Sequence, residues 1–316
     1  MKWEKLGKIF DPTDHVLVPN CKEFAQSPQV VLFPDFVRIY FSTRELDKVG
    51  KYLSHVAFVD MDKAFKRVLR VSTKPVLPLG ALGTFDEHGI FPISPLRVGD
   101  LIFAYTTGWT RRVSVSTDSG IGLVVSTDHG ETFARHGQGP VLGSSLDEPF
   151  LVSDGFVMKS GELFHMWYIY GQRWLRISGT SAPDRVYKIA HATSPDGITW
   201  TKSGRSVIPD SLDVDECQAL PTVLFHGGRH HMLFCYRHAT DFRTNPTRAY
   251  RLGHATSSDL VHWDRDNTVV LPAGSSGEWD SHMQCYPHLF RMEDTVYLLY
   301  NGNEFGRFGF GLAKLT

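Results

Sequence analysis

The sequence predicts an all-β fold, a five-bladed β-propeller of four-stranded antiparallel blades whose ring is closed by the N-terminal strand. Three observations carry that prediction. The segment Ile9-Phe10-Asp11-Pro12 returns as Val76-Leu77-Pro78, Val141-Leu142-Gly143, Val207-Ile208-Pro209 and Val270-Leu271-Pro272, at spacings of 67, 65, 66 and 63 residues. An aromatic ending an apolar run keeps the same step, at Phe41, Tyr105, Tyr168, Tyr236 and Tyr300. The runs between these markers are short and broken by Gly, Pro, Asn and Asp, the pattern of a repeat that buries its apolar faces by packing on its neighbours. Five repeats take up nearly all 316 residues. One domain over 1–316 is therefore expected, with blades at about 13–78, 79–143, 144–209, 210–272 and 273–316, the last completed by 1–12.

Residues 5–10 match the last strand of every later repeat, yet no repeat of their own precedes them. The final segment, 308–315, matches third strands such as 121–125 and 251–255, so the fifth blade lacks a fourth strand that the N-terminus supplies. Pairing the two ends removes exposed sheet edges. The first blade reads as strands 29–33, 37–41 and 53–58, with Pro34-Asp35 as the first hairpin turn. The second carries 102–105 and 122–125. Three equivalent turns follow third strands, at 126–133, 194–200 and 257–263. The first, Ser126-Thr127-Asp128-His129-Gly130-Glu131-Thr132-Phe133, resembles the Asp box of sialidases, a turn whose Ser and Asp bond local backbone while the aromatic tucks beneath. Its place before the fourth strand puts it on the outer rim, as a structural device.

Hydrophobic residues at 42% suffice for a core of this size, and 33 basic against 34 acidic side chains leave a formal charge of −1. That balance argues against an extended polyanion or an anionic membrane surface, so neither nucleic acid nor membrane is the expected partner and small polar ligands remain open. Residues 1–8 lack the apolar core of a secretory signal. No run reaches the roughly 18 apolar residues of a membrane span. Cys21, Cys217, Cys235 and Cys285 are scattered without a CxxC pair, which favours reduced thiols in a cytoplasmic protein over a structural zinc site.

The polar residues concentrate where the chain crosses from the fourth strand of one blade to the innermost strand of the next. Every crossing carries an acid: Asp11-Pro12-Thr13-Asp14-His15 through Glu23 and Gln26, then Phe85-Asp86-Glu87-His88, Leu146-Asp147-Glu148-Pro149, Asp213-Val214-Asp215-Glu216-Cys217 and Glu278-Trp279-Asp280-Ser281-His282. Carboxylates converging on one axis are costly unless they bind a cation, share protons or serve a polar ligand. The plain alternative is that each caps its own loop. A second ring follows the aromatic markers: Arg44, Trp109, Tyr170, Arg237-His238, and Asn301 with Asn303. An aromatic plane suits the apolar face of a sugar, and an Arg fork matches paired oxygens. Among the 15 histidines, His230-His231 is adjacent and follows Gly227-Gly228-Arg229, which reads as a solvated turn. His88 and His282 with Glu216 or Glu148 would make a mixed N/O set for a divalent ion on the axis. No other cofactor is expected.

The five-fold repeat, the terminal closure and phrases such as His191-Ala192-Thr193-Ser194-Pro195-Asp196-Gly197-Ile198-Thr199-Trp200 resemble the five-bladed propeller glycosidase clan of arabinanases, β-xylosidases, invertases, levansucrases and mannoside phosphorylases. In that clan an aspartate of blade one is nucleophile or base, an aspartate of blade two orients it, and a glutamate of blade three is the acid. The resemblance puts Asp86 in the second role and Glu148 in the third. Blade one departs from the pattern, offering Gln26 and Glu23, and Glu216-Cys217 echoes the invertase Glu-Cys pair but in blade four.

The expected activity is cleavage or transfer of a glycosyl unit by a carboxylic acid and a carboxylate in the axial pocket. Glu148 or Glu216 would be the acid, buried against Trp109 or Tyr286; Asp86 or Asp280 would be the base, nucleophile or orienting partner. Gln26, Arg44, His88, Trp109, Arg237, His282 and Tyr286 are the expected substrate contacts. A pair about 5 Å apart would retain configuration, and one about 6.5–9.5 Å apart would invert it. One alternative is a phosphorylase in which Arg44, Arg237 and His238 hold phosphate beside a single acid, and another is a non-catalytic carbohydrate-binding propeller. A cytoplasmic setting favours a small glycoside or an intermediate of surface-polysaccharide assembly as ligand.

Overall fold

A computed structural model describes residues 1–177, 182–212 and 215–316; Asp213 and Val214 of the fourth crossing lie outside them. Gln26–Leu32, Val37–Leu46, Tyr52–Met61 and Val68–Val71 form a first antiparallel sheet. The second comprises Gly89–Val98, Leu101–Arg111, Thr117–Ser126 and Ala134–Arg135, and a single parallel bridge between Ser54 and Gly89 joins it to the first. Val152–Ser160, Leu163–Leu175, Asp184–Ser194 and Thr201–Ser206 make the third, and Glu216–His226, Arg229–His238, Arg251–Ser257 and Asp264–Asp266 the fourth. In the fifth, Cys285–Met292, Thr295–Asn301 and Phe310–Leu315 are completed by Trp3–Phe10, which pairs antiparallel with the C-terminal strand from Trp3 opposite Leu315 to Phe10 opposite Phe310.

Burial follows strand position. Residues 37–43 are buried on both faces, because a middle strand is covered by neighbouring sheets, while the outer Thr201–Ser206 is mostly exposed. Trp167, Tyr168, Phe234 and Tyr300 are fully buried at these sheet-to-sheet contacts. The three Asp-box turns share one hydrogen-bond pattern. Ser126, Ser194 and Ser257 each donate from Oγ to the Asp two residues on and accept a backbone N–H from Gly130, Gly197 or Leu260. Two of them also tie sheets together. Tyr40 Oη donates to Gly130 O at 2.8 Å and Tyr105 Oη to Gly197 O at 2.9 Å. Gly130 has φ +79°, and a Cβ there would lie 2.1 Å from the Tyr40 hydroxyl, so the contact requires glycine.

His230 and His231 belong to the strand Arg229–His238 and not to a solvated turn. Gly227 and Gly228, both left-handed, make the turn itself. His231 Nδ1 faces His254 Nε2 at 3.0 Å, and the same stack recurs as His165 over His191 in the third sheet.

One irregularity recurs in every innermost strand. The pairing register slips by a bulge between Gln26 and Gln29, Ile90 and Ile93, Ser153 and Phe156, Ala219 and Thr222, and Cys285 and His288. Inside four of these bulges a non-glycine residue takes positive φ: Ser27 at 53°, Asp154 at 57°, Leu220 at 47° and Tyr286 at 56°. Each such residue costs on the order of 1–3 kcal/mol, and a bulge re-aims the side chain it carries.

Candidate functional site

Where the innermost strands meet, a cavity of about 340 Å³ is lined by residues from all five sheets. Phe91, Asp154 and Tyr286 reach it from the bulges of the second, third and fifth sheets. Aromatic side chains are a large part of the wall, among them Phe24, Tyr52, Trp109, Tyr187, Tyr250 and Phe305. Trp109 stacks on His88 with ring centres 6.1 Å apart, and Gly89 gives the indole room, since a Cβ there would lie 2.2 Å from its Nε1.

Asp154 is the one carboxylate among the described lining residues. It is buried; its Oδ1 accepts from Ser153 Oγ at 2.9 Å, its Oδ2 from the Leu220 N–H at 3.3 Å, and its own N–H donates to Thr107 Oγ1 at 2.8 Å. Burial raises its pKa to about 6, outweighing those two donors and the charge of Arg185. An acid poised there carries a proton in a useful fraction of molecules near neutrality.

Four arginines share the lining with this acid: Arg44, Arg185, Arg237 and Arg243. Arg243 lies 3.7 Å from Asp184. Among the described residues the other three have no carboxylate partner. Arg185 is braced by Thr117 Oγ1 at 3.0 Å and lies over the Trp174 ring at 5.8 Å. Arg237 is 4% exposed; it donates to Tyr187 Oη at 2.9 Å and to the carbonyls of His238 and Ala239, lies 3.4 Å over the Phe242 ring, and its Nε has no partner among the described residues. Arg44 stacks against Phe24 and Tyr52, and its Nε likewise has no partner among the described residues. Burial holds its pKa below the usual arginine value, Tyr286 and Tyr52 oppose that, and Arg243 adds to it. Uncompensated cations in a low-dielectric cavity are costly, so this wall is built to receive an anion.

The four acids singled out in the crossings do not line the cavity. Each turns outward to a basic residue on the fourth strand of its own sheet. Asp86 Oδ2 accepts from Arg135 Nε at 2.8 Å and Nη2 at 2.6 Å. Glu148 Oε2 lies 2.6 Å from Lys202 Nζ, and its Oε1 accepts from Tyr168 Oη at 2.8 Å, so its neighbours are not Trp109 or Tyr286. Glu216 Oε1 accepts from Arg265 Nη1 at 2.6 Å and its Oε2 from the N–H groups of Ser211 and Leu212. Burial works against ionisation of Glu216, but Arg265 and those donors hold its pKa below the usual carboxylate range. Asp280 Oδ2 lies 2.7 Å from Lys5 Nζ and accepts from Tyr300 Oη at 3.0 Å.

Of the expected substrate contacts, Arg44, Trp109, Arg237 and Tyr286 line the cavity. Gln26 is buried behind it, donating to Phe305 O at 2.6 Å. His88 stands behind Trp109, and the exposed His282 is held by its N–H to Asn303 Oδ1. Among the described residues no three His, Cys, Asp or Glu side chains converge, so the set drawn from His88, His282, Glu148 and Glu216 is not assembled. Sequence reading missed Asp154, Arg185, Tyr187 and Tyr250. The signal for Asp154 was an acid inside the otherwise apolar strand start Leu151-Val152-Ser153-Asp154.

No known protein-family model matches the sequence. Two curated proteins of Mycobacterium tuberculosis, the uncharacterized proteins MT1551 and Rv1502, are each 32% identical over 324 residues, covering 100% of this chain and 99% of theirs. Among solved structures, a glycoside hydrolase superposes with a TM-score of 0.74 at 16% identity, covering 99% of this chain and 92% of that one. The β-1,2-mannobiose phosphorylase of Listeria innocua, in complex with β-1,2-mannobiose, gives 0.66 at 12% over 100% and 96%. A GH130 structure, from a family of mannoside phosphorylases that contains hydrolases of β-1,2 mannosidic linkages in Candida mannan, gives 0.70 at 14% over 99% and 93%. The protein thus carries the fold seen in these glycoside hydrolases and mannoside phosphorylases, and it belongs to the family of the two mycobacterial proteins MT1551 and Rv1502.

Proposed function

We propose that the cavity breaks a glycosidic bond by phosphorolysis, with Asp154 as general acid and inorganic phosphate, held by Arg44 and Arg237, as nucleophile. The observation that carries this reading is one protonatable carboxylate sharing the cavity with three arginines that have no carboxylate partner among the described residues. Hydrolysis by two carboxylates would need a second acid in the lining, and among the described residues the rule relating carboxylate separation to stereochemistry has no pair to act on there. In the forward step a phosphate oxygen bonds to the anomeric carbon while the glycosidic C–O bond breaks. Its electron pair goes to the leaving oxygen, which takes the Asp154 proton. Asp154 regains a proton from the glycosyl hydrogen phosphate or from water. The aromatic walls offer the apolar faces of a sugar a surface, and the arginine forks bind the phosphate oxygens.

In this reading the protein is one five-bladed ring, and Asp86, Glu148, Glu216 and Asp280 act as pins that fasten each crossing to its outer strand. Support for the ring is the cyclic packing of innermost strands, each on the next and Cys285–Met292 on Gln26–Leu32. Four free, buried cysteines suit the reducing, phosphate-rich interior that the reading assumes.

The test is calorimetric titration with inorganic phosphate, followed by assay of a glycoside panel for glycosyl phosphate. Binding by the wild type, its loss in Arg44→Gln, and turnover only with phosphate are expected. Phosphate-independent release of free sugar would establish a hydrolase, and absence of phosphate binding would end the phosphorylase reading. A sugar that raises the melting temperature of wild type and Asp154→Asn alike, with no turnover, would leave a carbohydrate-binding propeller.

A further inference from the structure

The charge of the cavity exceeds what a single phosphate satisfies. With Asp154 carrying the proton that the acid role requires, Arg44, Arg185 and Arg237 contribute three positive charges with no carboxylate partner among the described residues, while Arg243 shares Asp184 at 3.7 Å. A phosphate brings about two negative charges near neutral pH. One guanidinium is left over, and its place in the fold identifies it. Arg185 lines the same cavity as Asp154. It belongs to the third sheet, as Asp154 does, whereas Arg44 stands on the first sheet and Arg237 on the fourth. Its orientation is set by Thr117 Oγ1 at 3.0 Å, Ser116 Oγ at 3.3 Å and the Trp174 ring beneath it. A long cation braced in this way has lost much of the rotamer entropy that binding would otherwise cost.

Resting on the phosphorolysis reading, we infer that the glycoside is itself anionic and that Arg185 docks a phosphate ester or carboxylate on its leaving-group half. Asp154 must stand at the leaving oxygen to protonate it, and Arg185, the cavity guanidinium on the sheet of Asp154, is therefore assigned to the leaving group and not to the incoming phosphate. A neutral leaving group would leave the Arg185 guanidinium with hydroxyl partners and no anion to match its charge. A phosphate ester or a carboxylate matches its fork with two charge-assisted hydrogen bonds. The class of ligand is thus a glycoside whose aglycone is a sugar phosphate or a uronate.

The experiment measures affinity, by calorimetry at saturating inorganic phosphate, for glucose, galactose and mannose, their 6-phosphates and their uronates. It uses the intact wild type, Arg185→Gln, Arg185→Lys and Arg44→Gln. At least one anionic sugar is expected to bind the wild type about tenfold or more tighter than its neutral parent, the scale of a charge-assisted hydrogen bond. That advantage should vanish in Arg185→Gln and survive in part in Arg185→Lys, while both variants keep the binding of phosphate alone. A 6-phosphate preferred over a uronate, or the reverse, names the anionic group. Equal affinity for neutral and anionic sugars, including no binding of any of them beside intact phosphate binding, overturns the inference. So does an anionic preference that persists in Arg185→Gln, or loss of phosphate binding in that variant, which would place the phosphate on Arg185. If the wild type does not bind phosphate, the phosphorolysis reading falls instead, whatever the sugars do.

Discussion

Asp154 and Leu220 occupy equivalent bulges of adjacent sheets, both in the left-handed region, and are joined directly: the Leu220 N–H donates to Asp154 Oδ2 at 3.3 Å. The strained backbone of one sheet thereby orients the acid of the next. With its pKa raised to about 6, Asp154 is protonated below that value and ionised above it. The kcat/KM of a reaction that needs the proton should decline as pH rises through about 6, and Asp154→Asn should lower kcat by about 10²–10⁴. Stability moves with the same sign. The native carboxyl holds its proton more tightly than the unfolded one at 3.8, so its favourable contribution is complete below pH 3.8 and is lost as pH rises through about 6. Asp154→Asn removes that loss, on the order of 3 kcal/mol. Its melting temperature at pH 7.5 should therefore equal or exceed that of the wild type; a large drop would show that the carboxylate is needed for folding.

Glu216 and Arg265 form the most buried of the crossing pins, with side chains 0% and 3% exposed. Removing one partner leaves the other charge buried and unpaired, a loss of about 3–5 kcal/mol. Glu216→Gln and Arg265→Met should each lower the denaturant midpoint strongly, and a double-mutant cycle should return much of the loss. Activity per folded molecule is expected to stay within about twofold of wild type, since a pin has no part in the roughly 10²–10⁴-fold contribution of an acid. A collapse of kcat at unchanged stability would return Glu216 to the chemistry.

Acid should destabilise the protein through its buried histidines. Burial pushes the pKa of His288 down to about 3 and, with the charge of His165 adding to it, that of His191 down to about 4. His288 Nε2 accepts the Val30 N–H at 3.1 Å, a bond between the fifth and first sheets that requires the neutral ring. Between pH 6.5 and those values the unfolded state takes up protons that the native state refuses. Stability is therefore complete above pH 6.5 and falls as pH drops, by about 2 kcal/mol per histidine at pH 5. Denaturation midpoints from pH 7.5 to 5 should show this slope, and His288→Gln, which keeps an acceptor, should flatten it. A slope unchanged in that variant would assign the acid limb to other groups.

Much of the architecture was legible in the sequence because it is local. The 63–67-residue step, the turns opened by Ser126, Ser194 and Ser257, and the match of residues 5–10 to a missing fourth strand all depend on neighbours a few positions apart. The cavity-lining Arg44, Trp109, Arg237 and Tyr286 were legible for a related reason: the first three fall a few residues after an aromatic marker, and Tyr286 falls at the start of an innermost strand. What the sequence did not reveal is direction. An acid in every crossing is equally consistent with a carboxylate on the axis and one turned outward, and the choice fell to Arg135, Lys202, Arg265 and Lys5, between 49 and 275 residues away in sequence. Asp154 became the site acid because a bulge rotated it off the regular alternation of its strand and a neighbouring sheet supplied the N–H that holds it. The sequence by itself determined the strands and their order; only the packing of sheet against sheet decided which charges are neutralised within the fold and which are left for a ligand, because burial and pairing depend on residues that are distant in sequence and adjacent in space.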